Sequence, residues 1–124
     1  MEDCIFCNLE PSRIEDRNEF FVAIKDLYPV TEGHTLIIPS RHVSSFFELP
    51  REEELAMLDM LSAQKKHLSQ LDKTITGFNV GINDGEDAGQ TVMHCHIHLI
   101  PRRKGDMESP RGGVRGVIPE KQSY

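Results

Sequence analysis

The stretch His94-Cys95-His96-Ile97-His98-Leu99-Ile100-Pro101 sets three imidazoles at alternate positions of an apolar run. In a strand, successive side chains point to opposite faces, so the spacing predicts His94, His96 and His98 on one face and Cys95, Ile97 and Leu99 on the other. Alternate Cβ atoms lie roughly 6.6 Å apart at about 3.3 Å of rise per residue. Neighbouring rings can therefore touch one bound group, while the three cannot all close on one small ion. A strand whose ordinary polar face carries histidines is the alternative that spacing alone leaves open.

Working outward, Asn83-Asp84-Gly85 begins a polar loop that runs through Gly89, and Thr76 to Asn83 alternates with period two, so the two flanking runs read as a long hairpin with the histidine strand spanning Val92 to Ile100. Phe20 to Lys25 and His34 to Pro39 read as a second hairpin, with His34, Leu36 and Ile38 on one face. From Pro50 to about Leu71 the period becomes helical. Leu55, Leu58, Leu61, Leu68 and Leu71 form the expected apolar stripe, widened by Ala56 and Met57, with Pro50 at the first helical position and Glu52, Glu53 and Glu54 in the first turn. His67 reads as a helix-surface residue and Cys95 as core.

With 124 residues, 38% hydrophobic and 27% charged, the chain suits one domain with an ordinary core. A net charge of -6 argues against a general nucleic-acid binder. The chain shows neither a membrane-length apolar stretch nor a leader at its N-terminus, which gives a cytoplasmic, membrane-free expectation. Three cysteines without a secretion signal point to thiol or metal chemistry rather than disulfides. Positive charge is local, at Arg102-Arg103-Lys104 and at Arg111 and Arg115, where it could hold an anion or merely be solvated.

Alternating histidines suit metal ligation, proton transfer or nucleophilic attack through a ring nitrogen. Leu99-Ile100-Pro101 supplies no carboxylate to complete a catalytic metal site, and Asp84, Glu86 and Asp87 lie on the facing loop without fixed spacing. Gly89-Gln90-Thr91 offers a close-approaching backbone, an amide and a hydroxyl, groups that bind phosphate. The combination favours an anionic substrate attacked by nitrogen.

Gly89-Gln90-Thr91-Val92-Met93-His94-Cys95-His96-Ile97-His98-Leu99-Ile100 closely resembles the signature of the histidine triad (HIT) superfamily, and the resemblance extends through Asn83-Asp84-Gly85, Gly33 to Pro39 and Asp26. It implies an α+β, HIT-like fold over residues 1–105: a five-stranded antiparallel sheet, one long helix and a shorter N-terminal helical segment. Residues 106–124 are then a tail packing on the domain or on the partner of a homodimer. The implied activity is a nucleotide hydrolase or nucleotidyl transferase of the diadenosine polyphosphate hydrolase kind. In this reading His96 is the nucleophile that forms a covalent nucleotidyl intermediate, His98 binds phosphate oxygens and Gln90 partners the leaving oxygen. Asp26 binds ribose or initiates a turn, Asn83, Gly89 and Thr91 contact phosphate, and His34 supports the site. No cofactor is implied for catalysis.

Cys4-Ile5-Phe6-Cys7 has the spacing of two thiolates on one tetrahedral ion. In HIT proteins with this knuckle, the resemblance implies a structural zinc completed by His42 and His94. Three other readings stay open: a nucleoside phosphoramidate hydrolase using the same nucleophile, a silent nucleotide-binding module, and a metal-dependent hydrolase with His94, His96 and His98 as ligands.

Overall fold

The computed structural model describes residues 1–124. Its elements are β1 (Ile14–Arg17), β2 (Phe21–Lys25), β3 (Thr35–Pro39), α1 (Arg51–Leu71), β4 (Ile75–Ile82) and β5 (Ile97–Arg103), with short 3-10 turns before α1 and between β4 and β5. All strand pairs are antiparallel, in the order β1-β2-β3-β5-β4. The predicted hairpins are present, β2 with β3 and β4 with β5. The N-terminal helical segment is a single 3-10 turn, Pro11–Arg13.

Period-two alternation buries both faces of the sheet. Phe21, Ala23, Ile37, Cys95 and Ile97 pack under α1 with Met57 and Met60. Val22, Ile24, Leu36 and Ile38 face the other way, against Phe6, Leu9 and Ile14 of the N-terminal segment. Full burial of such side chains is worth about 1.5–3 kcal/mol each, so both clusters fix the register of the central strands.

Two expectations about the helix need correction. The buried face of α1 is Glu53, Met57, Met60, Gln64 and Leu68, while Leu55, Leu58 and Leu71 are exposed. Two polar residues on that face mask it in the sequence. Arg41 donates to both Glu53 oxygens, at 2.7 and 2.8 Å, and holds this carboxylate below its ordinary pKa, while Gln64 donates to Asp16 at 3.4 Å. Pro50 is the N-cap rather than the first helical residue, with an extended backbone whose carbonyl accepts from Glu53 and Glu54.

The histidine strand starts later than its pattern predicts, at Ile97. His94 to His96 form an irregular lead-in, pinned where the Cys95 N–H donates to the Val43 carbonyl at 2.7 Å. Alternation survives in it, because Cys95 and Ile97 enter the core beneath α1 while the histidines face the N-terminal segment.

Candidate functional site

Each histidine of the row has a different neighbour that fixes what its ring can do. His96 Nδ1 donates to the His94 carbonyl at 2.9 Å, which leaves the lone pair on Nε2. His94 is turned the other way: Nε2 donates to the Pro39 carbonyl at 2.8 Å, so its Nδ1 lone pair faces Cys4 Sγ at 3.3 Å and Cys7 Sγ at 3.5 Å. A common ion for all three triad rings is thus excluded by geometry.

His98 is oriented by a chain of donors. The Val30 N–H donates to His34 Nδ1 at 3.0 Å, so neutral His34 carries its proton on Nε2 and donates to His98 Nδ1 at 2.9 Å. The His98 proton must then sit on Nε2, a buried donor with no partner in the protein. Such a donor is costly to leave unpaired and suits an anionic oxygen. His34 therefore orients the His98 ring.

Burial, reinforced by the rings of His96 and His34, lowers the His98 pKa to about 4, and burial also lowers those of His34 and His94. Between about pH 4 and 6.5 unfolded His98 binds a proton that the native ring does not, so its stabilising contribution is complete above 6.5 and is lost as pH falls through 4. Native stability should drop by on the order of 2 kcal/mol across this window from His98 alone. A urea midpoint that stays flat from pH 6.5 to 4 contradicts a neutral, buried ring.

His96 and His98 open into a cavity of about 390 Å³ that Asp26, His34, Asn83, Gly89 and Thr91 also line. This volume falls in the range of small-molecule sites. Sequence reasoning missed the other walls: Ile5, Phe6, Leu27 and Tyr28, with Arg13 the one guanidinium. Phe6 meets the His96 ring edge-on at 5.0 Å. Leu27 and Tyr28 follow Asp26 directly and are 66% and 88% exposed, and only that adjacency could have pointed to them.

Asp26 does initiate a turn, since Oδ1 accepts the Tyr28 N–H at 2.9 Å. Its Oδ2 lies 3.4 Å from His34 Nε2. Gly89 has φ +94°, a left-handed backbone that glycine adopts without strain, and this lets the loop pass close to Asn83.

Gln90 is held by the backbone around it. Its Oε1 accepts from the Gly85 N–H at 2.8 Å, its Nε2 donates to the Ser44 and Val92 carbonyls at 2.9 and 3.1 Å, and the buried side chain is absent from the cavity wall. These bonds brace the 85–92 loop and leave Gln90 Oε1 one further lone pair. Asp84 is likewise structural, accepting from the Ser45 hydroxyl and the Phe46 N–H. Two cations of the basic run are paired within the fold: Arg102 is bidentate to Asp106, and Arg103 binds Asp72, Thr74 and the Glu32 carbonyl.

Cys4, Cys7, His42 and His94 bring two sulfurs and two nitrogens within 4.8 Å of one another. Tetrahedral zinc with bonds of about 2.0 to 2.3 Å separates sulfur and nitrogen ligands by about 3.5 Å, close to the observed contacts of 3.3 and 3.5 Å. The donor set fits the ion. Burial and the adjacent Cys4 raise the Cys7 thiol above its ordinary pKa, a penalty that a bound cation reverses.

The model of the HIT domain matches residues 10–105. An uncharacterised HIT-like protein of Methanocaldococcus jannaschii is 36% identical over 120 residues, covering 92% of this chain and 91% of its own length. The bis(5'-nucleosyl)-tetraphosphatase [asymmetrical] of Schizosaccharomyces pombe is 37% identical over 97 residues, 77% of this chain and about half (52%) of that protein. Among solved structures, a Zn-bound histidine triad family protein from Mycobacterium smegmatis superposes with a TM-score of 0.70 at 34% identity, over 87% of this chain and 81% of that one. With its five-stranded sheet, oriented histidine row and this match along most of its length, the chain belongs to the HIT domain family.

Proposed function

We propose that the chain is a nucleotidyl hydrolase in which His96 Nε2 attacks the α-phosphorus of a bound nucleotide. One observation carries this reading: the His94 carbonyl fixes the His96 tautomer, leaving a nucleophilic nitrogen on a ring that lines the cavity beside the unpartnered His98 donor. The Nε2 lone pair forms a nitrogen–phosphorus bond as the leaving group departs with its electron pair and takes up a proton. Water then displaces His96 and loses its own proton. His98 Nε2–H, Asn83 and Thr91 hold the phosphate oxygens, Asp26 the ribose, and Phe6, Leu27 and Tyr28 the base.

A dinucleoside polyphosphate as substrate draws support from the activity named for the S. pombe relative. An amine leaving group, as in a nucleoside phosphoramidate, is favoured by the pairing of Arg102 and Arg103 within the fold, which leaves neither free for a polyphosphate. Zinc on Cys4, Cys7, His42 and His94 is structural in this reading, and catalysis needs no cofactor. A homodimer is supported by the unpaired outer edge of β4 and by Leu55 and Leu58, both about half exposed on α1. No helix is long and apolar enough to cross a membrane.

Hydrolysis in ¹⁸O-labelled water of a nucleotide made chiral at the α-phosphorus by sulfur tests the mechanism. Two successive displacements retain configuration, and inversion would show that water attacks directly.

A further inference from the structure

Arg13 carries the one guanidinium in the wall of the His96 cavity, and no step of the displacement at phosphorus uses it. The 3-10 turn Pro11–Arg13 delivers the chain to β1, and the pairing of Ile14 with Ile24 sets Arg13 beside Lys25. There its Nη2 donates to the Lys25 carbonyl at 3.2 Å, the sole partner of this side chain within the protein. No carboxylate pairs with it, although Asp26 lines the same cavity. A half-buried guanidinium that faces a cavity with most of its N–H groups unspent is set to donate to acceptors on a ligand.

The strand register says which part of the ligand those acceptors belong to. Lys25 lies opposite Thr35, and Thr35 opposite Leu99. The anchor of Arg13 is therefore level with the residue after His98 and two strands away, about 10 Å at about 4.8 Å per strand. A phosphate attacked by His96 and held by His98 occupies the β5 side of the cavity. Asp26, next to Lys25, takes the ribose. What remains at the Arg13 end, near Leu27 and Tyr28, is the base.

Bases differ in the edge they offer. Guanine and other 6-oxopurines present N7 and O6, two acceptors that match the planar fork of an arginine, whereas adenine presents N7 beside an amino donor that opposes it. The bond to the Lys25 carbonyl uses one hydrogen of Nη2 and holds the fork in place, so a two-pronged contact costs little further ordering.

We propose that Arg13 is a specificity-determining residue that donates to O6 and N7 of the base, so that the chain selects a guanine nucleotide over an adenine one. The proposal rests on the nucleotidyl reading above and names the nucleoside of that same site.

Isothermal titration with the 5'-monophosphates of guanosine, inosine, adenosine and 7-deazaguanosine tests it. The wild-type protein should bind the guanosine and inosine compounds at least about fivefold more tightly than the adenosine one, the lower end of what a bidentate pair discriminates. The 7-deaza compound, with a C–H in place of N7, should bind at least about fivefold more weakly than its guanosine parent. In Arg13→Met, which keeps an unbranched stem and removes the donors, the preference for guanosine over adenosine should shrink to within about twofold. Equal wild-type affinity for guanosine and adenosine monophosphates overturns the proposal, as does a 7-deaza compound that binds like its parent. So does an Arg13→Met protein that keeps the preference, or one that loses affinity for both bases equally, which would mark a general pull on anions. The 7-deaza comparison needs no variant and decides alone if Arg13→Met fails to fold. Guanine preference in binding without a nucleotidylated His96 under turnover would support the role of Arg13 and defeat the displacement mechanism. Absence of binding by all four compounds would overturn the nucleotide reading and this proposal with it.

Discussion

Replacing His96 with Asn is expected to lower turnover by at least about 10⁴-fold, the scale on which removal of a covalent nucleophile acts. The asparagine amide can still donate to the His94 carbonyl as His96 Nδ1 does at 2.9 Å, so the local backbone keeps its partner. What disappears is the ring lone pair. Nucleoside monophosphate affinity, governed by the rest of the cavity, should change by less than about fivefold, about 1 kcal/mol. Steady-state kinetics with isothermal titration check both, and retained turnover would refute the covalent role. A silent binding module predicts no turnover to lose in the wild-type protein.

The second large effect is expected on removal of metal. Stripping the Cys4-Cys7-His42-His94 cluster with a chelator, or substituting Cys4→Ser and Cys7→Ser, should cost at least about 3 kcal/mol, or about 10 °C in Tm. The cluster ties the N-terminal segment to Pro39 through His94 and to the loop carrying His42. Ile5 and Phe6, the two residues between the cysteines, are walls of the His96 cavity. Loosening them should raise KM while leaving much of kcat when the assay is run cold. A reactive ion on His94, His96 and His98 predicts the opposite, complete loss of kcat at any temperature. Calorimetry with and without chelator, paired with cold kinetics, separates the two.

These expectations rest on parts of the sequence that could be read and parts that could not. Central strands announce themselves because both faces are buried, as in the apolar runs Phe21–Ile24 and Leu36–Ile38. β1, Ile-Glu-Asp-Arg, is an edge strand with one apolar residue in four and carries no periodic signal. The buried face of α1 misleads because Glu53 and Gln64 enter it with partners from Arg41 and Asp16, contacts far apart in sequence. The histidine row was visible from spacing, yet the three roles come from hydrogen bonds to Pro39, His94 and His34 that only the fold assembles. Gln90 carries bonds that the motif does not announce, to the backbone of Gly85, Ser44 and Val92. Arg102 and Arg103 look like an anion site until Asp106 and Asp72 are seen beside them.

The most direct measurement is intact-protein and peptide mass spectrometry of enzyme quenched in alkaline denaturant within milliseconds of mixing with substrate, because acid hydrolyses a nitrogen–phosphorus bond. The account predicts one added nucleoside monophosphate, located on His96 and absent from His96→Asn. Repeated quenches under turnover that find unmodified His96 would contradict it.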